Sequence, residues 1–459
     1  VQKCDDANAI STQNCYGIVL IPIIKVFMKA SYVLFSLALA ASLSSCKKDC
    51  DKDPVDTGSG GTSCTPTSFS KVFGGATSEM ALAMTSTADG GYVTVGLKDQ
   101  PGSTIVNDVY VVRVNKNGEK LWEKTFGGSG NDLGVSVTTG IDGGFVIGAY
   151  TNSTDGDVEG NHGGYDAWLL KLNDNGEVMW KRALGGHGAE TTTKISKTSN
   201  GYLVAAASRS IDIGANFGGA DIMLVKLDIN GNIVTNGFYG GDGNDGPGKI
   251  MAMADGSCMI VGSTESSFSK GQTDVLVMKI DAALQLVWQK NFGGSLSDDG
   301  RAIATTADGG YTIAAETHSA DGDLAGTAIN GTDGDTWIFK VNHLGSVVWS
   351  KRLSGAQWDT PHDITASTNG AFLVSGFTNS SDGDFAGATR FDAFVVKLNA
   401  QGNKMWLKTL GGTIHDYAYD IVKTDACTFT IAGYSSSKDG DVPSNSGHDD
   451  IWLYKGADN

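Results

Sequence analysis

Four stretches carry Asp-Gly-Asp beside hydroxyl residues: TNSTDGDVEG, THSADGDLAG, TNSSDGDFAG and YSSSKDGDVPS. They set Asp155 and Asp157, Asp321 and Asp323, Asp382 and Asp384, and Asp439 and Asp441 as closely spaced carboxylates. Hard oxygen donors gathered this way suit Ca²⁺, which takes roughly six to eight of them. The spacing is not that of an EF-hand loop, and Asp-Gly-Asp also builds ordinary Asx turns whose carboxylates cap nearby N–H groups, so both readings stay open. A second group lies in AQWDTPHD at 356–363 and TIHDYAYD at 413–420, which bring Trp358, His362, His415, Tyr417 and Tyr419 onto loops of adjacent repeats. Aromatic faces rimmed by polar groups can stack on a sugar or clasp a peptide. A third group is an acid four residues after a Gly-Gly pair: Glu79, Asp132, Glu190, Asp245, Asp298, Asp359 and Asp416. Seven such carboxylates near a channel mouth could hold a cation. Capping of the Gly-Gly bend is the commoner use of such residues and is the expectation.

The elements that position these groups repeat. FGG at 73, FGG at 126, LGG at 184, YGG at 239, FGG at 292, LSG at 353 and LGG at 410 are spaced by 53, 58, 55, 53, 61 and 57 residues. A period in this range marks units that bury their faces against neighbours. Each unit holds four short stretches rich in β-branched and aromatic residues, as in DLGVSVTT, GFVIGAYT, DAWLLKLN and EVMWKRAL, separated by turn signals. Four strands per unit predict a propeller blade. The last unit ends at DIWLYKGADN without a fourth strand, while FSKVFGG at 69–75 matches the fourth-strand pattern WEKTFGG at 122–128. The reading is therefore an all-β, seven-bladed β-propeller of four antiparallel strands per blade, its ring closed by the N-terminal strand 69–75. DGGY-type and NKNG-type hairpins fall on one face of the ring, and the Gly-Gly and DGD loops on the other.

Some repeated residues belong to this scaffold. Third strands begin with Asp108, Asp166, Asp221, Asp274, Asp335, Asp392 and Asp450 and carry Arg113, Lys171, Lys226, Lys279, Lys340, Lys397 and Lys455 five positions on. That offset puts the charges on opposite faces, so each is expected to bond neighbouring turns or blades. Trp122, Trp180, Trp288, Trp349 and Trp406 recur on fourth strands, with Phe69 and Thr235 at the other two positions. They read as wedges between blades, their N–H groups meeting backbone acceptors. The repeat resembles those of bacterial cell-surface lipoproteins built as propellers, and more loosely quinoprotein-like and FG-GAP propellers. That resemblance spans 69–459 and implies little about function, because propellers host binding, scaffolding and catalysis alike.

The first 68 residues differ in kind. From Met28, MKASYVLFSLALAASLSSC has a basic start, an apolar run and small residues before Cys46, a secretory signal layout. Leu43, Ser44, Ser45 and Cys46 resemble a lipobox, which implies lipidation of Cys46. Residues 1–27 then read as a non-native upstream extension, 28–45 as the signal peptide, 46–68 as a Gly/Ser/Thr-rich flexible tether and 69–459 as the propeller. The lysine and acidic cluster after Cys46 resembles surface-export signals, which implies a bacterial outer-membrane, lipid-anchored protein exposed at the surface. A Cys50–Cys64 disulfide is compatible with an oxidising envelope, although nothing demands it.

A formal net charge of -17 with no basic stripe makes nucleic acid an unsuitable partner. The chain has no H-E-x-x-H, no nucleophile elbow and no paired C-x-x-C. GNDGPGKI at 243–250 mimics a phosphate loop through Gly248 and Lys249, but Ile250 replaces the hydroxyl residue and the segment leads into a strand. No catalytic residue and no certain cofactor is assigned, Ca²⁺ being the one candidate. The expectation is a membrane-anchored envelope protein whose propeller binds a glycan or protein ligand without catalysis. The alternative is a propeller enzyme: a glycoside hydrolase, a polysaccharide lyase or a quinoprotein-like oxidoreductase.

Overall fold

The computed structural model describes residues 67–458 apart from 101, 103–105, 215–216 and 328–332. The expected leader, Cys46 and nearly all of the tether lie outside the described residues. Twenty-eight strands form seven four-stranded antiparallel sheets, each strand pairing with its sequence neighbour within the blade. Blade 7 is the exception that closes the ring. Its outer strand is Phe69–Phe73, antiparallel to Asp450–Ala457 with Phe69 opposite Lys455 and Phe73 opposite Ile451. Beyond the strands, only three single-turn 3₁₀ segments occur among the described residues, Gly322–Leu324, Thr368–Gly370 and Gly383–Phe385.

Burial follows strand position. Middle strands covered on both faces read as near-continuous apolar runs, such as Phe145–Thr151 and Asp166–Leu172 in blade 2, while the outer strand Val178–Leu184 begins exposed. The core lies between blades. Val95, Val109 and Val111 of blade 1 join Ile147, Trp168 and Leu170 of blade 2 in one cluster, so neither sheet buries its faces alone.

Outer-strand aromatics lock each blade to the next. Trp122 lies over Gly176 of blade 2, so close that a Cβ there would come within 3.1 Å of the indole. Trp180 covers Gly231, Trp288 covers Gly345, Trp349 covers Gly402, and Phe69 covers Gly118 across the closure. These glycines sit at φ 73° to 78° in the turns before the outer strands. Trp122 Nε1 donates to Asp174 O at 3.0 Å and Trp349 Nε1 to Ala400 O at 3.1 Å, the backbone acceptors expected. Trp406 faces a blade whose outer strand comes from the N-terminus, so it meets no such turn and its Nε1 finds no partner. Blade 3 breaks the pattern in both partners at once: Thr235 replaces the Trp, and Leu284, at φ 59°, replaces the turn glycine of blade 4.

The third-strand charges bond turns and not each other. Lys171 pairs with Asp142 at 2.8 Å, Lys340 with Asp308 at 2.6 Å and Arg113 with Asp89 at 3.1 Å, all in first-to-second-strand hairpins. The aspartates cap loops, Asp166 accepting His162 N at 2.9 Å and Asp274 accepting Lys270 N at 2.7 Å. Cys427 is disulfide-bonded, and Cys258 is a buried free thiol.

Candidate functional site

The seven acids after Gly-Gly are fully buried and each accepts the N–H of the second junction residue. Glu79 takes it from Gly75 at 2.9 Å, Asp132 from Gly128 at 2.8 Å, Glu190 from Gly186 at 3.0 Å and Asp245 from Gly241 at 2.8 Å. Asp298 takes it from Gly294 at 2.8 Å, Asp359 from Gly355 at 2.6 Å and Asp416 from Gly412 at 2.8 Å. Serine hydroxyls from the second-strand ends add to this, Ser153 to Asp132 at 2.8 Å and Ser319 to Asp298 at 2.7 Å. Each cap faces the third-strand Asp of the preceding blade across the first junction residue. A Cβ at Gly127 would lie 2.6 Å from Asp132 Oδ2 and collide with Asp108 Oδ1. Blade 6 has Ser354 there, and Arg352 Nε holds the neighbouring Asp335 at 2.6 Å. Burial raises these carboxyls: Asp359 reaches about 7 and Asp335 about 6, while Asp132, Asp298 and Asp416 also rise.

The DGD aspartates form a second layer of caps on the same bends. Asp155 accepts Ser129 N at 2.7 Å and Asp157 accepts Gly127 N at 3.3 Å, while Asp157 N returns a bond to Gly127 O at 2.8 Å. Asp321 and Asp323 do this for Ser295 and Gly293, Asp382 and Asp384 for Ala356 and Ser354, and Asp439 and Asp441 for Thr413 and Gly411. The central glycines need positive φ, 65°, 59°, 58° and 66°. The next side chain, Val158, Leu324, Phe385 or Val442, plugs into a blade core. The motif therefore pins the long loop to the bend beneath it. Among the described residues no group of three or more His, Cys, Asp and Glu gathers to hold a metal ion.

The aromatic residues divide. His362 stacks on Tyr419 with centroids 4.1 Å apart, Tyr417 meets Phe377 edge-on at 4.9 Å and Tyr434 at 4.7 Å, and His415 meets Phe391 edge-on at 5.2 Å. The structure thus joins four of the five into one run between blades 6 and 7 and adds Phe377, Phe391 and Tyr434. Trp358 stands apart, 48 % exposed.

The run ends in the central channel, a cavity of about 630 Å³ lined by the inner strands of all seven blades. Every inner strand carries a β-bulge near its middle, as between Ala81 and Ala83 in blade 1, Gly300 and Ala302 in blade 5, and Pro361 and Asp363 in blade 6. A bulge re-aims side chains. In blades 1 and 2 it presents Leu82 and Val135; in blades 5, 6 and 7 it presents Arg301, His362 and Tyr419, all of them lining the channel. Lys194 and Lys249 follow the bulges of blades 3 and 4.

Lys249 pairs with Asp363 at 2.6 Å. Asp420 accepts Met84 N at 2.9 Å, and burial followed by the Asp363 charge pushes its carboxyl up. Arg301 pairs with Glu316 at 2.6 Å. Burial acts to raise Glu316, but His318 and Arg301 outweigh it and hold it at about 2. Burial, then the Arg301 charge, brings His362 down to about 3, so the imidazole is neutral. Burial and the Lys249 charge bring Lys194 down to about 8. Sequence reading missed Lys194, Lys249, Arg301, Asp363 and Asp420 as a group. The available signal was that the residues after the bulges differ between blades while the frame does not.

No family model matches the chain. The regulatory protein FlaEY of Caulobacter vibrioides is 25% identical over 191 residues, covering 38% of this chain and 20% of that protein. A WD repeat-containing protein of Acanthamoeba polyphaga mimivirus is 22% identical over 250 residues, covering 50% of this chain and 16% of that one. The chain therefore spans a fifth or less of the length of these curated relatives. Among solved structures, a protein of unknown function from Dyadobacter fermentans aligns over 84% of this chain and 97% of its own, at 12% identity and TM-score 0.43. The WD40 domain of Neurospora crassa Pan2 aligns over 84% and 90%, at 10% identity and TM-score 0.43. These likenesses extend to the fold alone.

Proposed function

We propose that this chain is an envelope lipoprotein, anchored through Cys46, whose propeller is a non-catalytic module that binds a glycan on its long-loop face. The observation that carries the reading is the aromatic run of His415, Tyr417, Phe377 and Phe391, with exposed Trp358 a separate aromatic on the loop that precedes Asp359. The repeated polar residues of that face are engaged in capping, whereas this run occurs at one blade junction only. Aromatic faces bordered by polar loops suit the apolar face of a sugar ring.

A glycan array probed with the full chain in detergent tests the reading, with Trp358→Ala and Tyr417→Ala as site variants. Binding that both variants weaken supports it. Absence of glycan binding overturns it, as does binding only to protein ligands; release of product from a bound glycan overturns its non-catalytic part. Retained palmitate labelling in Cys46→Ala contradicts the anchor. A melting temperature lowered by chelation would bring calcium back to the DGD loops.

A further inference from the structure

We propose that the central channel is a binding site for a small organic carboxylate with a compact apolar or aromatic body. This site is separate from the rim reading above and stands or falls on its own. Three of its polar groups have no partner. Lys194 makes no hydrogen bond or ion pair with any described residue, Arg301 Nε is buried without an acceptor although its terminal nitrogen holds Glu316, and His362 Nε2 is buried without a partner. Buried polar groups are ordinarily satisfied, because leaving one unpaired costs about 1–3 kcal/mol, so two buried nitrogens, Arg301 Nε and His362 Nε2, beside the partly exposed and unpaired Lys194 ammonium call for a ligand.

The charges state its sign. Lys194, Lys249 and Arg301 project into the channel of a protein whose formal net charge is -17. Asp363 is committed to Lys249 and also faces Ile421 N at 3.4 Å, Asp420 bonds Met84 N, and Glu316 is shared by Arg301 and His318. Asp363 and Glu316 each pair directly with a cation, whereas Asp420 and Asp363 attract the Lys194 ammonium only through space, which leaves Lys194 without a paired carboxylate. One carboxylate on the ligand would complete the balance, accepting from the Lys194 ammonium and from Arg301 Nε.

The rest of the wall describes the ligand's body. Blades 1 and 2 contribute Leu82, Ala83, Met84, Val135 and Val137, an apolar arc that an inorganic anion would leave unused. Blades 6 and 7 contribute the flat His362–Tyr419 stack. The cavity volume of about 630 Å³ falls in the ordinary range for small-molecule sites. Backbone strain marks the same place: Thr192, a β-branched residue lining the channel two positions before Lys194, sits at φ 52°. Strain of this kind persists where surrounding structure enforces it and concentrates at ligand sites.

Calorimetric titration of the full chain in detergent with benzoate, its neutral isostere benzamide and inorganic phosphate tests the assignment. Benzoate is expected to bind with one-to-one stoichiometry, benzamide and phosphate at least about tenfold more weakly, a gap worth about 1.4 kcal/mol. Lys194→Met is expected to weaken benzoate by about tenfold or more without lowering the melting temperature of the free protein, and Lys194→Arg to retain binding. No heat from benzoate at millimolar concentration overturns the proposal. So does benzamide or phosphate binding as tightly as benzoate, or an affinity that Lys194→Met leaves unchanged.

Discussion

Blade 2 and blade 6 present the same inner strand built for different purposes. Asp132–Thr139 and Asp359–Ala366 both open on a buried aspartate capping a junction glycine, and both bulge after the third residue. In blade 2 the bulge presents Val135 and the following Ser136 accepts Ile195 N of the next blade at 3.1 Å. In blade 6 it presents His362, whose Nε2 has no partner, and the following Asp363 reaches Lys249. The caps fix the backbone; the bulge is where one blade can differ from another without disturbing the ring. Each frame carboxylate accepts at least one N–H of the chain, although Oδ1 of Asp132, Asp166, Asp221, Asp245, Asp274 and Asp450 is buried without a donor, whereas the channel leaves the Lys194 ammonium with no hydrogen bond or ion pair among the described residues. Substitutions should therefore move stability in opposite directions in the two regions.

The largest loss is expected from Gly240→Ala. A Cβ there collides with Asp221 Oδ1 and comes within 2.8 Å of Asp245 Oδ2, both buried. Overpacking against two carboxylates that cannot retreat should cost about 3 kcal/mol, read by urea denaturation. A loss below about 1 kcal/mol would show that the junction can open and would break the idea of a rigid frame.

Next is Asp298→Ala, which strips acceptors from Gly294 N, Ser319 and Thr317 at once. The orphaned donors should cost about 2 kcal/mol. Asp298→Asn keeps most of these bonds and removes a charge facing Asp274, so it should stay close to wild type at neutral pH. Equal losses in the two variants would place the charge, not the cap, at the centre of the junction.

Acidification sharpens the same point. Asp359 and Asp335 are raised to about 7 and about 6, chiefly by burial, so the folded state favours their protonated forms more than the unfolded chain does. Their contribution is complete below the unfolded value near 3.8 and is lost as pH rises through 6 and 7. The melting temperature should accordingly climb by a few degrees from pH 7.5 to pH 5, as an order-of-magnitude expectation. Glu316, held at about 2, does not oppose the trend in that window, whereas His362, brought down to about 3 by burial, opposes it below its unfolded value of 6.5 and reduces the climb. A fall in melting temperature over the interval would mean that cations or unmasked donors stabilise the ionised pairs.

In the channel the sign should reverse. Lys194→Met removes a cation that burial and Lys249 both disfavour, and methionine fills similar space. A gain of about 1 kcal/mol is expected, against the losses in the frame. A loss comparable to that of Asp298→Ala would return Lys194 to the scaffold and erase the contrast.

Much of the frame was legible because its physics is local. Gly-Gly bends, DGGY hairpins and strand alternation give seven blades directly, and the unfinished last unit told where Phe69–Phe73 must go. The cap role of Glu79 and its counterparts is the expected reading because capping is the commoner use of such turn residues, a cation ring being the alternative. The channel was not legible for a specific reason. A bulge shifts side-chain parity by one residue, so the alternation read from DDGRAIAT or DGPGKIMA does not report which face Arg301 or Lys249 takes. Lys249 drew notice only as part of a false phosphate loop, and that motif indeed runs into the strand Asp245–Ala252, which contains Lys249, where a helix would be required. His362 and Tyr419 were noticed as aromatics, without any sign that the bulges of blades 6 and 7 would stack them at the channel wall.

The smallest effect tests whether blade junctions are tuned pair by pair. At four tryptophan junctions a turn glycine lies beneath the indole, while at the blade 3 junction Thr235 stands at the tryptophan position and Leu284 at the glycine position. Leu284 is 7% exposed, packs with Tyr239, Ile222 and Leu224, and its carbonyl accepts the Tyr239 hydroxyl at 2.7 Å. Its φ of 59° is a conformation that favours glycine. Leu284→Gly alone should relieve that strain yet lose more in buried apolar contact, and Thr235→Trp alone should drive an indole onto the leucine. Together they recreate the junction of Trp180 with Gly231, so the double variant should lose less than the sum of the singles by about 1 kcal/mol in a double-mutant cycle. Strict additivity would show that the two exceptions share a junction by coincidence, and that the frame tolerates each independently.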